Sequence, residues 1–250
     1  LVVVLQFVFL QANTLDFYFT VKRYFDTESQ QNYLEFAYLI PGNVIQYKEE
    51  TPNKFKASIL IVVDVKNNDN LVIFNHAYII NSPVYSGNPD ALVNLSDVLR
   101  IPMTQDSLSL IIQALDLNDS TLYFTDNLPL NVLEDKNAVL SDVSLIAKKS
   151  PLILGDVFNK GDLNLLPKFI NYYPSQINNI AFYVESYQKG QLNKGLFNYF
   201  ISDENNVVLE KYSNFKKTNA SDFDALYAEL DILSLPSGNY YVYVELRDSA

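Results

Sequence analysis

Cysteine and tryptophan are absent, histidine occurs once, and glycine occurs only 7 times in 250 residues. Without cysteine there are no disulfides, thiolate metal sites, cysteine nucleophiles or lipidated cysteines. A lone His76 cannot supply the usual zinc ligand set. It sits in the strand-like run Leu71–Ile80 with no glycine-rich elbow beside any serine, so it reads as an ordinary strand histidine rather than the base of a triad. The few glycines form no phosphate-cradling loop, and no cofactor or metal is expected. Positive charge is also short: 18 Lys and Arg against 29 Asp and Glu give a net charge of -11, which repels nucleic acid and anionic lipid. Long apolar runs are missing too. The run from Leu1 to Ala12 is too short to span a bilayer, but it has the length and small terminal residue of a signal-peptide core. Residues 1–14 are therefore expected to be a signal-peptide remnant, and the protein to be exported.

What is present favours strands. The chain is 48% hydrophobic, with 18 Tyr and 16 Phe, a composition suited to pleated, half-buried surfaces. From Phe55 to Val65 the residues Phe55, Ala57, Ile59, Ile61, Val63 and Val65 fall on one face, the period of a strand lying on a core. Asn67-Asn68-Asp69-Asn70 then reads as a turn into Leu71–Ile80, making a hairpin. Ile180–Tyr187, Leu196–Ser202, Val207–Tyr212 and Tyr240–Arg247 read as further strands, and Asp90–Leu99 has room for one helical turn. Three short motifs recur in the same order: Tyr33-Leu-Glu35 with Tyr183-Val-Glu185, Asn70-Leu-Val-Ile-Phe74 with Asn206-Val-Val-Leu-Glu210, and Asp97-Val-Leu-Arg-Ile-Pro102 with Asp231-Ile-Leu-Ser-Leu-Pro236. Collinear repeats of this kind point to a duplicated domain. The expectation is an all-β chain of two tandem, immunoglobulin-like antiparallel β-sandwich domains, 15–139 and 140–250, with a boundary near Glu134–Asn137.

Tyr33-Leu-Glu35, the strand Phe55–Val65, Leu99-Arg100-Ile101-Pro102, Asn171-Tyr172-Tyr173-Pro174, Phe182-Tyr183-Val184-Glu185-Ser186-Tyr187 and Leu235-Pro236-Ser237-Gly238-Asn239-Tyr240 together resemble the N-terminal region of bacterial GWxTD domain-containing proteins. The likeness covers nearly the whole chain in order and spacing. It implies an exported envelope protein, periplasmic, associated with the outer membrane or extracellular. The Gly-Trp-x-Thr-Asp motif that names the family is not in this chain, which has no tryptophan, and no functional residue carries over.

For chemistry, the paired positions Glu35 and Glu185 fall in different expected domains and read as solvent-facing strand residues rather than a glycosidase pair. Asp64 with Asp69, and Asp203 with Glu204, read as turn residues, since no calcium-loop pattern surrounds them. No catalytic residue is expected, and the protein reads as a non-enzyme. The binding candidates are tyrosines on faces opposite the core: Tyr241 and Tyr243 across from Val242 and Val244, and the set Tyr183, Glu185 and Tyr187. The leading expectation is a structural or interaction module whose partner is another envelope protein or the C-terminal region of the same protein. The alternative is a carbohydrate-binding module that takes a glycan on a tyrosine platform flanked by Asn, Asp or Gln. A hydrolase ranks third.

Overall fold

The structure, a computed structural model, describes residues 15–87, 92–104, 109–130, 140–187, 195–218 and 223–248. The strands in chain order are β1 (Tyr18–Asp26), β2 (Gln31–Ile40), β3 (Lys48–Thr51), β4 (Lys54–Lys56), β5 (Ser58–Lys66), β6 (Val72–Asn81), β7 (Tyr85–Ser86), β8 (Leu95–Pro102), β9 (Ser109–Asp116) and β10 (Tyr123–Pro129). They continue with β11 (Ser144–Pro151), β12 (Asn159–Lys160), β13 (Leu163–Pro167), β14 (Asn179–Tyr187), β15 (Gly195–Asp203), β16 (Asn214–Lys217), β17 (Phe223–Asp231) and β18 (Tyr240–Asp248). The sheets run β1-β2-β8, β10-β9-β5-β6, β12-β13-β11-β14-β17, β16-β15-β18 and β3-β4-β7. The protein is all-β, and no helix among the described residues is long and apolar enough to cross a membrane.

Two compact units share these elements. An N-terminal unit holds Phe36–Glu134 and the described residues of Phe7–Thr20, and a C-terminal unit holds Val21–Glu35 and the described residues of Asp135–Ala250. This departs from a division at 15–139 and 140–250 in one place: the β1–β2 tip, Val21–Glu35, belongs with the C-terminal strands. The expected signal remnant at 1–14 and the expected boundary at Glu134–Asn137 lie outside the described residues.

In the N-terminal unit the alternation of β5 does what its pattern dictates. Ile59, Ile61 and Val63 are fully buried and Val65 nearly so, each such side chain stabilising the fold by about 1.5–3 kcal/mol relative to exposure. Leu110, Ile112 and Ala114 of β9 lie beside them in register. Aromatic rings complete the core: Phe17 stacks on Tyr38 of β2 at 5.2 Å and on Phe124 of β10 at 4.9 Å. At one end of this core the buried Asp116 carboxylate accepts the backbone N–H of Gln46 at 2.7 Å and of Asn118 at 2.8 Å, fixing the loop ahead of β3 to the end of β9.

The C-terminal unit is a sandwich. Ile180, Phe182 and Val184 of β14 with Leu226, Ala228 and Leu230 of β17 face Phe197, Tyr199 and Ile201 of β15 with Val242 and Val244 of β18. On the other side of β14, Tyr183 packs with Tyr24, Ile146 and Leu165, and Tyr33 from the hairpin tip lies against them. Strand β14 is thus covered on both faces.

Two local expectations are corrected. Leu95–Pro102 is strand where a helical turn had room, because Leu95 and Ile101 are drawn into the core. Val207–Tyr212 is an isolated bridge from Val208 to Ser202 followed by a short 3-10 turn at Glu210–Tyr212, because β15 takes β16 and β18 as its partners instead.

The repeated motifs divide in their fates. Asn70 and Asn206 are the same turn: both have φ near the left-handed region, 59° and 62°. Leu71 N–H donates to the Asn67 side chain at 2.9 Å, as Val207 N–H donates to Asp203 at 2.8 Å. An Asx side chain that accepts from the backbone ahead of it favours such a turn over continued strand. Asp97–Pro102 lies in β8 whereas Asp231–Pro236 begins at the end of β17 and runs on into the following loop. Tyr33-Leu-Glu35 and Tyr183-Val-Glu185 both fall in the C-terminal unit.

Candidate functional site

The predicted residues separate into three environments. Tyr183, Glu185 and Tyr187 are not on the surface: they are 6%, 7% and 5% exposed. The alternation of β14 was sound, with Ile180, Phe182 and Val184 facing the sandwich core, but the opposite face is roofed by the hairpin tip rather than by solvent. Under that roof Tyr183 donates its hydroxyl to Glu185 Oε1 at 2.9 Å, and Tyr187 donates to Oε2 at 2.5 Å. The Tyr187 oxygen in turn accepts Phe25 N–H at 3.1 Å, and Glu185 N–H donates to Ser141 Oγ at 2.9 Å. Tyr24 shares a hydrogen bond with Ser144 at 2.9 Å. Burial first, then the carboxylate charges, raises the pKa of all three tyrosines, so they stay protonated.

Glu35, expected to face solvent in another domain, is buried in this same unit. Its Oε2 accepts Lys160 Nζ at 2.6 Å, and that ammonium stands 4.0 Å from the centre of the Tyr24 ring. Arg23 grips Asp142 through Nε and Nη2, at 3.0 Å and 2.7 Å, a planar two-pronged contact only an arginine makes. These groups bind the tip to the sheet. Both glutamates are buried and paired in this arrangement.

Tyr241 and Tyr243 are half-buried on the face away from Val242 and Val244, as alternation predicts. Tyr243 stacks on Phe200 at 5.3 Å and donates to Asn206 Oδ1 at 2.8 Å, so it is engaged within the sheet. Tyr241 instead lines a cleft of about 580 Å³ between the loop before β14 and the loop before β18. His76 is exposed on β6, its ring 5.1 Å from Tyr78 and 6.4 Å from Phe74.

That cleft escaped residue-by-residue reading. Its walls are Asn171-Tyr172-Tyr173-Pro174 and Leu235-Pro236-Ser237-Gly238-Asn239-Tyr240, two segments visible in the sequence as motifs but 64 positions apart at their starts (235 − 171). Tyr172 is 69% exposed. Tyr240 folds its ring over Gly238, where an added Cβ would meet the Tyr240 hydroxyl at 3.2 Å, and donates to the Pro236 carbonyl at 3.0 Å. Tyr173 has a buried hydroxyl with no hydrogen-bond partner among the described residues, and burial raises its pKa. Lys168 Nζ lies 4.6 Å from the centre of its ring. Every residue lining the cleft is uncharged. The density of Tyr and Asn in both loops was the available signal.

Fold and cleft define an all-β protein of two units with a neutral, tyrosine-walled recess in the C-terminal one. No family model matches the chain, and no curated protein matches it. Among solved structures it is similar to red sea bream transglutaminase, with 9% identity and a TM-score of 0.26 over 93% of this chain. The chain spans 29% of the length of that enzyme.

Proposed function

We propose that this chain is a non-catalytic interaction module of an exported envelope protein, and that it holds a protein partner on the outward face of the β10-β9-β5-β6 sheet. The observation that carries this is a row of side chains across all four strands: Tyr123, Leu115, Leu60 and Ile79 sit in consecutive register on the face away from the core. Tyr123 and Ile79 are 50% and 51% exposed, so the row is apolar surface in contact with water, the kind of patch that marks an interface. It ends at β6, which has β5 on one side and no strand on the other among the described pairings. Edges are commonly defended by lysine or proline. Val72–Asn81 contains neither and carries no formal charge. The partner that fits is an extended, uncharged apolar segment that adds to this edge by main-chain hydrogen bonds and lays alternate side chains on the row. Export and the envelope setting rest on the apolar Leu1–Ala12 run and the resemblance to GWxTD domain-containing proteins.

A photo-crosslinking amino acid at Ile79 or Tyr123, in cells, is expected to give one discrete protein adduct that disappears with Leu60→Lys. No adduct at either position, or the same adduct from a control position at Glu49, sinks the proposal.

A further inference from the structure

We infer that the cleft of the C-terminal unit is a binding site for a neutral carbohydrate. The inference is independent of the interface on the other unit. A pyranose presents an apolar C–H face and a rim of hydroxyls that both donate and accept. Tyr172, Tyr240 and Tyr241 supply rings for the first property, with little side-chain entropy to lose on binding. Asn171, Asn178 and Asn239 bring amides for the second, each offering two donors and a carbonyl acceptor. Ser175 and Ser237 add hydroxyls to the same walls.

Other ligand classes fit this chemistry less well. No lining residue is ionised, so a cationic ligand finds no opposite charge in the walls, and an anionic one finds only Lys168, behind the Tyr173 ring and outside the lining. An aliphatic chain would strip water from three amides and return no hydrogen bonds, a cost of several kcal/mol in an apolar contact. A polyproline helix has carbonyl acceptors but no N–H donors, so the asparagine oxygens would face no partner. A sugar satisfies rings and amides together, within a volume of about 580 Å³ in the range of small-molecule sites.

The test is calorimetric titration of the full chain with soluble oligomers of glucose, xylose and mannose, alongside polygalacturonate and a polyproline peptide. Saturable binding of at least one neutral oligomer is expected, weakened about tenfold by Tyr172→Ala and by Asn239→Ala. Tyr172 is 69% exposed, so its removal leaves the core packed, and a thermal melt of the variant checks this. Ile79→Lys, on the other unit, is expected to leave sugar binding unchanged, which separates this inference from the interface. Failure of every neutral oligomer to bind overturns it, as does binding that Tyr172→Ala leaves intact. Preference for polyproline or polygalacturonate overturns it equally.

Discussion

The two units bury a carboxylate in opposite ways. In the N-terminal unit Asp116 is held by backbone N–H groups: Asn118, Asp119 and Gln46, the first two from the turn that follows it. In the C-terminal unit Glu185 is held by the hydroxyls of Tyr183 and Tyr187, and through Tyr187 reaches Phe25, 162 residues before that tyrosine. The first carboxylate shapes a loop. The second fastens one end of the chain to the other, so its loss should propagate further.

The largest effect is therefore expected at Glu185. Glu185→Ala leaves two buried hydroxyls without their acceptor and is expected to cost about 3 kcal/mol in urea denaturation. Hydrogen exchange should rise throughout Val21–Glu35, and Glu185→Gln, which keeps one acceptor oxygen, should lose less. Asp116→Ala comes next, at about 2 kcal/mol, since two or three backbone donors lose a partner near the surface. Its exchange signature should stay within the loops around Gln46 and Asn118. Opening of the Val21–Glu35 segment by Asp116→Ala would erase the contrast between local and long-range anchoring.

The smallest effect per residue is alkaline. Tyr24, Tyr183 and Tyr187 have folded-state pKa values raised above those of the unfolded chain, by burial first and then by carboxylate charge. Their contribution is fully present below about pH 10, where unfolded tyrosines begin to ionise, and falls as pH rises beyond it. At about pH 10 the loss is a few tenths of a kcal/mol for each tyrosine. The N-terminal unit has raised tyrosines of its own: Tyr38, and Tyr47 and Tyr78, the last two pushed up to about 12, all chiefly by burial. Denaturation of Tyr187→Phe against pH should show a flatter alkaline decline than the parent, and an unchanged slope would remove Tyr187 from the account.

The same contrast explains what could be read in advance. A strand's period tells which residues share a face, and this sufficed for Ile59, Ile61, Val63 and Val65, for Val242 and Val244, and for the Asn67–Asn70 turn, whose chemistry is local. Period says nothing of what covers a second face. Tyr183, Glu185 and Tyr187 were placed on the correct side of β14, but the roof over them is contributed by residues 21–35, and no pattern within β14 records that. Glu35 was misread for the same reason. The cleft is a harder case: Tyr172 and Asn239 acquire a shared environment only when two loops close the same end of a sandwich, and loop paths have no periodic signature. The outward row Tyr123–Leu115–Leu60–Ile79 depends on register across four strands, which alternation within any one of them leaves open.

The hairpin tip also sets an order of events at the ribosome. Val21–Glu35 precedes Asp142, Lys160, Glu185 and Tyr187, which hold it, by more than a hundred residues. Until those residues are made, Tyr24 and Phe25 have no sheet to lie on, and the nascent chain carries an unsheltered aromatic ribbon over the intervening synthesis. A polypeptide stalled before Tyr187 would lack the residues that close this clasp.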